Sequence, residues 1–185
     1  SFKVNNKDGW LSSSVKRYSS LEVAKEAIND HEIEKFCKYI LHRRSSYEDS
    51  QHHIRWDPAD NIPYVISSSY KYECQHGKDR NKFYNKKRQI GNYLSGKKTY
   101  KSIKESIKKD CPAFITIREV IKFPLFKPIN ASLRQRRESS KMLRHALLNE
   151  DDIEKILVCY VKFPDDSDHK GHALGEVVCK QWIQL

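Results

Sequence analysis

A chain of 185 residues with 38% apolar content is long enough for one domain with a modest core, and a net charge of +11 with a pI of about 9.4 calls for a polyanionic partner: RNA, DNA or an acidic protein. No run of 18 apolar residues is present, which excludes a membrane-spanning helix. Five cysteines, an odd number without dense pairing, argue against a secreted disulfide scaffold and for a reducing compartment, cytosol or nucleus.

The first residues, Ser1-Phe2-Lys3-Val4-Asn5-Asn6, hold neither an apolar signal core nor a cleavage site and are read as an internal stretch of a longer protein. Ser19-Ser20-Leu21-Glu22 predicts a helix start, with Ser19 as N-cap and Glu22 as its capping-box partner, and Leu21, Ala24, Ala27 and Ile28 keep helical spacing. Asn29-Asp30 interrupts the pattern. Asp30 then caps an expected second helix in which Ile33, Phe36, Cys37, Ile40 and Leu41 share one face, making Cys37 a core residue. Residues 43 to 61 read as a polar linker, where His52-His53 is a solvated pair rather than a chelate because adjacent side chains diverge in extended chain.

Pro63 to Gln75 is rich in tyrosine and β-branched residues and predicts extended chain ending at Cys74. Between Lys78 and Lys109 lie twelve Lys and Arg against only Asp79 and Glu105, so the positive charge is concentrated in one insertion, interleaved with Phe83, Tyr84, Tyr93 and Tyr100. Phe114 to Phe123 alternates as a strand, with Ile115, Ile117 and Ile121 inward and Thr116, Arg118 and Lys122 on an expected wet face. Ser132 predicts the cap of a helix to about Leu148, with Leu133, Leu143, Ala146 and Leu147 on its apolar side and Arg134, Arg137, Lys141 and Arg144 as an adjacent stripe. Ile156 to Phe163 predicts another strand, with Cys159 packed beside Leu157 and Val161, and the tail from Ala173 has helical spacing in Val177, Val178 and Trp182.

Cys74 and Cys111 each sit at a strand edge, and His169 and His172 follow a third strand, so four soft donors could converge at one end of a sheet. Two thiolates and two imidazoles suit a closed tetrahedral zinc site that stabilises a small fold. The spacing is unorthodox, with 36 residues between the cysteines and 57 from Cys111 to His169. Two alternatives stand beside it. Cys74 and Cys111 could be buried thiols with an exposed histidine pair, or Cys159 or His76 could replace one ligand.

A strand ending in Tyr72-Glu73-Cys74, a second opening Cys111-Pro112-Ala113, a third strand and then His169-Lys170-Gly171-His172 resembles the zinc-binding DNA-binding module of the WRKY/GCM superfamily, which includes FLYWCH modules and Mutator-like transposase N-terminal domains. The Cys-Pro-Ala strand, the basic insertion and Lys122-Phe123-Pro124 make the calcium-responsive transcription factor group of animals the nearest branch. The resemblance implies an α+β fold, a small antiparallel four-stranded sheet stapled by zinc with flanking helices. It implies zinc on Cys74, Cys111, His169 and His172. The organisation expected is a helical segment and linker over 1–61, a zinc-binding sheet domain over 62–176 with a basic insertion (78–109) and a helical insertion (132–148), and a helical tail over 177–185.

The expected function is sequence-specific binding of double-stranded DNA by a nuclear transcription regulator or transposon-derived protein, without catalysis, with other protein partners outside this stretch and no membrane. Base contacts are expected from Lys78, Arg80, Lys82, Lys86, Lys87 and Arg88, and further contacts from Lys97, Lys98, Arg118 and Lys122. Arg134, Arg137, Lys141 and Arg144 would follow phosphates. A rival reading is a metal-dependent nuclease using Asp165, Asp166, Asp168 and His169, but these acids are bunched in one loop and no second acidic strand end completes a two-metal site. A third is an RNA- or protein-interaction module without metal.

Overall fold

The computed structural model describes residues 15–47, 53–80, 106–130, 132–149 and 153–175. Among these, six strands form one mostly antiparallel sheet, accompanied by two α-helices: β1 Val15–Tyr18, α1 Leu21–Lys35, β2 Tyr39–Ser46, β3 Arg55–Trp56, β4 Pro63–Cys74, β5 Phe114–Lys122, α2 Leu133–Leu148 and β6 Ile156–Lys162. The strand order is β1-β6-β5-β4-β2, with β3 also pairing with β4. The class is α+β as expected, but the sheet has six strands rather than four.

Two compact units interleave along the chain. Among the described residues the first comprises 15–31, 41–47, 53–72, 115–130, 132–149 and 153–163, and the second 32–40, 73–80, 106–114 and 164–175.

In the first unit β5 and β6 pair in register from Thr116–Lys162 to Lys122–Ile156, and β1 lies on the other side of β6 from Val15–Lys162 to Tyr18–Cys159. That register puts Ile117, Val161, Glu119 and Cys159 on one face and Arg118, Tyr160, Val120 and Val158 on the other. Both faces are covered. Leu143 and Ala146 of α2 pack with Ile54, Val65, Phe123 and Ile153, while Tyr64, Val120, Val158 and Tyr160 form a second cluster. The wet face expected on β5 is therefore largely covered: Thr116 and Lys122 are buried and Arg118 is half-buried. Lys122 is only 2% exposed. It stays charged because Asp57 and Asp60 both bind its ammonium, and Tyr160 donates its hydroxyl to Asp57.

The helices begin where short polar side chains satisfy their first amides. Ser132 caps α2 by accepting from Gln135 N, as expected. For α1 the cap is Ser20, which accepts from Val23 N, one residue beyond the Ser19 named from sequence. A single α1 runs through Asn29-Asp30, where two helices were expected, so the second does not exist. Of its intended core face, Ile33 is 69% exposed, and Phe36, Ile40 and Leu41 are exposed as well.

In the second unit α1 ends in a Schellman arrangement. Phe36 takes φ 49°, its amide donates to Ile33 O, and the Cys37 amide donates to Glu32 O. The buried Glu32 carboxylate then accepts from Tyr39 N (2.6 Å) and Lys38 Nζ (2.6 Å), which sets the chain on an extended course. Cys37 is thereby fixed just past the helix end rather than on a helical core face.

Candidate metal centre

Four local structures of the second unit bring soft donors together. The Schellman turn places Cys37. At the end of β4 the Cys74 amide donates to Ala113 O, and the chain then reverses through Gln75-His76-Gly77, with Gly77 N donating to Cys74 O (2.7 Å) and His76 N to Cys74 Sγ (3.4 Å). A Cβ on Gly77 would fall 2.8 Å from the Cys74 carbonyl oxygen, so only glycine closes this turn without displacement.

Cys111 is set by the same turn. Its amide and that of Lys109 both donate to His76 O (3.1 and 2.8 Å), with Asp110 between them at φ 57°. Finally, a 3-10 turn over Asp166–Asp168, closed by reciprocal capping between Asp165 and Asp168, delivers His169, and Gly171 at φ 80° bends the chain so that His172 returns to the same point.

Cys37, Cys74, His169 and His172 each bring one donor atom to within 4.8 Å of the others, a Cys2His2 set that could hold a metal ion. Cys111 adjoins it. The contacts are Cys37 Sγ–Cys74 Sγ 3.4 Å, Cys74 Sγ–His172 Nε2 3.4 Å, Cys111 Sγ–His172 Nε2 3.3 Å, Cys111 Sγ–His169 Nδ1 3.6 Å and His169 Nδ1–His172 Nε2 3.2 Å. Bonds of about 2.3 Å to sulfur and about 2.0 Å to nitrogen give tetrahedral edges of about 3.8 Å between sulfurs, about 3.6 Å between sulfur and nitrogen, and about 3.3 Å between nitrogens. These five contacts fall within a few tenths of an ångström of those edges, and the remaining spacings of the Cys2His2 set lie within 4.8 Å. At 3.4 Å the two sulfurs are not bonded, and all four cysteines described are free.

Outer contacts orient both imidazoles for ligation. His172 Nδ1 lies 3.0 Å from Ala173 O, a carbonyl that only accepts, so Nδ1 carries the proton and the Nε2 lone pair faces the cluster. For His169 the roles are reversed, with Nε2 2.8 Å from the Tyr39 hydroxyl and Nδ1 facing inward. Without a cation the thiols of the cluster ionise unequally: the hydrogen bond with Cys74 lowers Cys37 despite its burial. The Cys74 thiol is pushed up by its hydrogen bond with Cys37 and by burial, Cys111 is pushed up chiefly by burial, and burial lowers His172. A divalent ion would supply the charge that stabilises the thiolates.

The structure therefore brings Cys74, Cys111, His169 and His172 into one cluster and adds Cys37, which its sequence spacing had assigned to a helical core. The signal that could have placed Cys37 is the β-forming run Tyr39-Ile40-Leu41 immediately after it. Neither substitute ligand joins the cluster. His76 stacks against His172 (ring centroids 4.2 Å apart) with Nδ1 on Ile107 O and Nε2 on the Gln75 amide, and Cys159 is buried in β6 of the first unit, its thiol pushed up to about 11 by burial.

The expected DNA contacts divide three ways. Lys82, Lys86, Lys87, Arg88, Lys97 and Lys98 lie outside the described residues, as does the tail over 177–185. Lys78 is exposed just past the Gly77 turn, and Arg134, Arg137, Lys141 and Arg144 are exposed on α2. Arg80 is exposed but grips Glu73 through both terminal nitrogens (2.6 and 3.0 Å). Arg118 is half-buried, and burial lowers its pKa. Lys122 is withdrawn as a DNA contact, because its ammonium is buried against two carboxylates.

A family model described as ALS2CR8, amyotrophic lateral sclerosis 2 chromosomal region candidate gene 8, matches residues 44–182, about three quarters of the chain. The chain belongs to the ALS2CR8 family. No curated protein and no solved structure matches it. The family assignment corrects the resemblance read from motif order: the match is to ALS2CR8 and not to a WRKY/GCM, FLYWCH or zinc-finger family, and the assignment to a calcium-responsive branch falls with it. The motifs behind that resemblance were short and common, a Tyr-x-Cys strand end, a Cys-Pro-Ala strand start and a His-x-x-His pair, and the sheet that carries them has six strands instead of four. In this ALS2CR8 chain the residues of the cluster other than Cys37 fall inside the matched span.

Proposed function

We propose that the chain is a non-catalytic, zinc-stapled module that binds double-stranded DNA in the nucleus. The observation that carries the metal part is the donor geometry: buried sulfurs and outward-anchored imidazoles whose four contacts of 3.2–3.6 Å are near tetrahedral edge lengths, in a set gathered within 4.8 Å. Two thiolates with two imidazoles select a borderline-soft ion of tetrahedral habit, which is zinc among abundant divalent metals. Cys74, His169 and His172 would be ligands, with a second thiolate from Cys111 or Cys37, and the bound ion would tie the end of α1, the end of β4, the start of β5 and the segment after β6. Four protein ligands leave no position for substrate.

The partner follows from charge. The surplus of +11 would be self-repelling without a polyanion, and α2 shows a division of labour, with Leu143 and Ala146 buried and Arg134, Arg137, Lys141 and Arg144 exposed. A nuclease reading has less support. Asp165 and Asp168 are engaged in capping one another's turn, and Asp166 pairs with Lys35 (2.9 Å). The test is metal analysis of the purified chain together with competition binding among duplex DNA, RNA and single strands. One zinc per chain and preference for duplex is the expected result. Preferential RNA binding would replace the DNA reading, and cleavage of plasmid in magnesium would restore the nuclease.

A further inference from the structure

Five soft donors converge where a tetrahedral ion takes four. Resting on the metal reading above, we propose that Cys37 and Cys111 are interchangeable ligands, either of which completes the tetrahedron begun by Cys74, His169 and His172. The two thiols approach that triad from different sides. Cys37 Sγ touches the Cys74 sulfur at 3.4 Å, while Cys111 Sγ touches both imidazole nitrogens, at 3.3 and 3.6 Å. Both are buried, and both follow a residue at positive φ, Phe36 before Cys37 and Asp110 before Cys111, so a backbone turn holds each in place.

Their surroundings give them different resting roles. Cys111 sulfur lies against the inward nitrogens of both imidazoles, which suits a thiolate bound to metal. Cys37 sulfur has a carbonyl acceptor in Lys38 O at 3.8 Å and shares its contact with Cys74, where either sulfur can donate, which suits a thiol held in reserve. In the exchange Cys37 gives up its proton as its sulfur bonds to the ion, the Cys111–metal bond breaks, and the departing Cys111 thiolate takes up one proton. The charge at the ion is unchanged and no oxidant is involved. Such a centre favours a thiophilic divalent cation over magnesium or calcium, because only a soft ion gains from a third sulfur within reach. It also keeps its metal when one thiol is lost, and it offers a bound ion a route out by stepwise replacement of ligands.

The test uses the full 185-residue chain loaded with cobalt(II), whose visible bands report tetrahedral geometry and whose sulfur-to-metal charge transfer counts thiolates. The expected result is one cobalt and two thiolates for the unsubstituted chain, for Cys37→Ser and for Cys111→Ser, with single variants losing less than about tenfold in affinity and the double variant more than about a hundredfold. A Cys111→Ser chain as metal-free as the double variant, with Cys37→Ser unaffected, would overturn the exchange and leave Cys37 a packing thiol. Cobalt uptake failing in the unsubstituted chain would instead overturn the metal reading itself. Should a variant not fold, the 13Cβ shifts of the zinc-loaded unsubstituted chain decide. Movement of both Cys37 and Cys111 toward the metal-thiolate position supports exchange, and Cys37 staying at its free-thiol position refutes it.

Discussion

The Tyr39 hydroxyl lies 2.8 Å from His169 Nε2, so the residue two positions after Cys37 orients a histidine 130 positions further along the chain. Tyr39 is itself held through its amide on the buried Glu32 carboxylate, which makes the end of α1 an anchor for the ring of His169. Outer partners of this kind contribute about 10–100-fold to metal affinity. Tyr39→Phe keeps the ring and removes the hydroxyl, and should weaken zinc binding by about that factor while the zinc-saturated chain keeps its circular dichroism. Competition with a chromophoric chelator measures it, and an unchanged affinity would show that His169 is oriented by packing alone.

Gly77 is the point at which one methyl group would disturb two donors together. A Cβ there would overlap the Cys74 carbonyl oxygen, and the neighbouring His76 carbonyl accepts the Lys109 and Cys111 amides. Gly77→Ala should cost about 1–3 kcal/mol by overpacking. Denaturant unfolding at saturating and at limiting zinc would read both consequences, with the larger loss at limiting zinc. Equal losses under both conditions would separate the turn from the metal.

The buried Lys122 predicts a pH signature within the first unit. Burial pushes the Asp57 carboxyl up, but Lys122, the Ala59 amide and the Tyr160 hydroxyl more than reverse this and leave it below its ordinary value; burial lowers Lys122, and its bonds to Asp57, Asp60 and Tyr160 raise it to about 12. A depressed carboxyl stabilises fully above its unfolded value of about 3.9 and loses its contribution as pH falls through the lower folded value. A raised ammonium stabilises fully below about 10.4 and loses its contribution as pH rises through its folded value. Lys122→Met leaves Asp57 buried without its cation and should cost about 3–5 kcal/mol. The difference between the two chains should be flat from about pH 5 to 9 and shrink in acid below about pH 4. A difference that persisted unchanged into acid would show that the packing of the lysine stem, rather than the ion pair, accounts for it.

On α2, replacing Arg137, Lys141 and Arg144 by glutamine removes charge from a face that has no role in the core. If these side chains neutralise phosphates, the slope of log affinity against log salt should fall by about 0.9 for each phosphate no longer neutralised, with thermal stability little changed. A constant slope would turn this stripe into a solvated face.

Much of the sheet is legible in the sequence because its central strands are runs rich in β-branched and aromatic residues that are buried on both faces. The limits expected for β4, β5 and β6 fall within a residue of those observed, and α2 begins at the serine that its sequence marks. The short outer strands carry no such signal. β1 is only Val15-Lys16-Arg17-Tyr18, and β2 buries only Tyr39 while leaving Ile40 and Leu41 exposed, so backbone pairing rather than side-chain burial determines them. The same ambiguity hides Cys37. A run spaced i, i+3, i+4 across residues 33–41 fits a helix until Phe36 turns left-handed, and the reversal depends on Glu32 reaching forward to the Tyr39 amide. Lys122 escapes for a different reason. Its two carboxylate partners are 65 and 62 residues away, and strand alternation cannot distinguish a solvated lysine from one buried against such partners.

Whether an ion staples the second unit is decided by the metal content of the purified chain, followed by its near-ultraviolet circular dichroism and thermal unfolding before and after chelation. The expected result is one zinc per chain and loss of ordered structure in the second unit when it is removed, since Cys74, His169, His172 and the second thiolate come from separated stretches that the ion would hold together. A chain purified without metal, unable to take up zinc or cobalt and unchanged in stability by chelator, would contradict the zinc-stapled module.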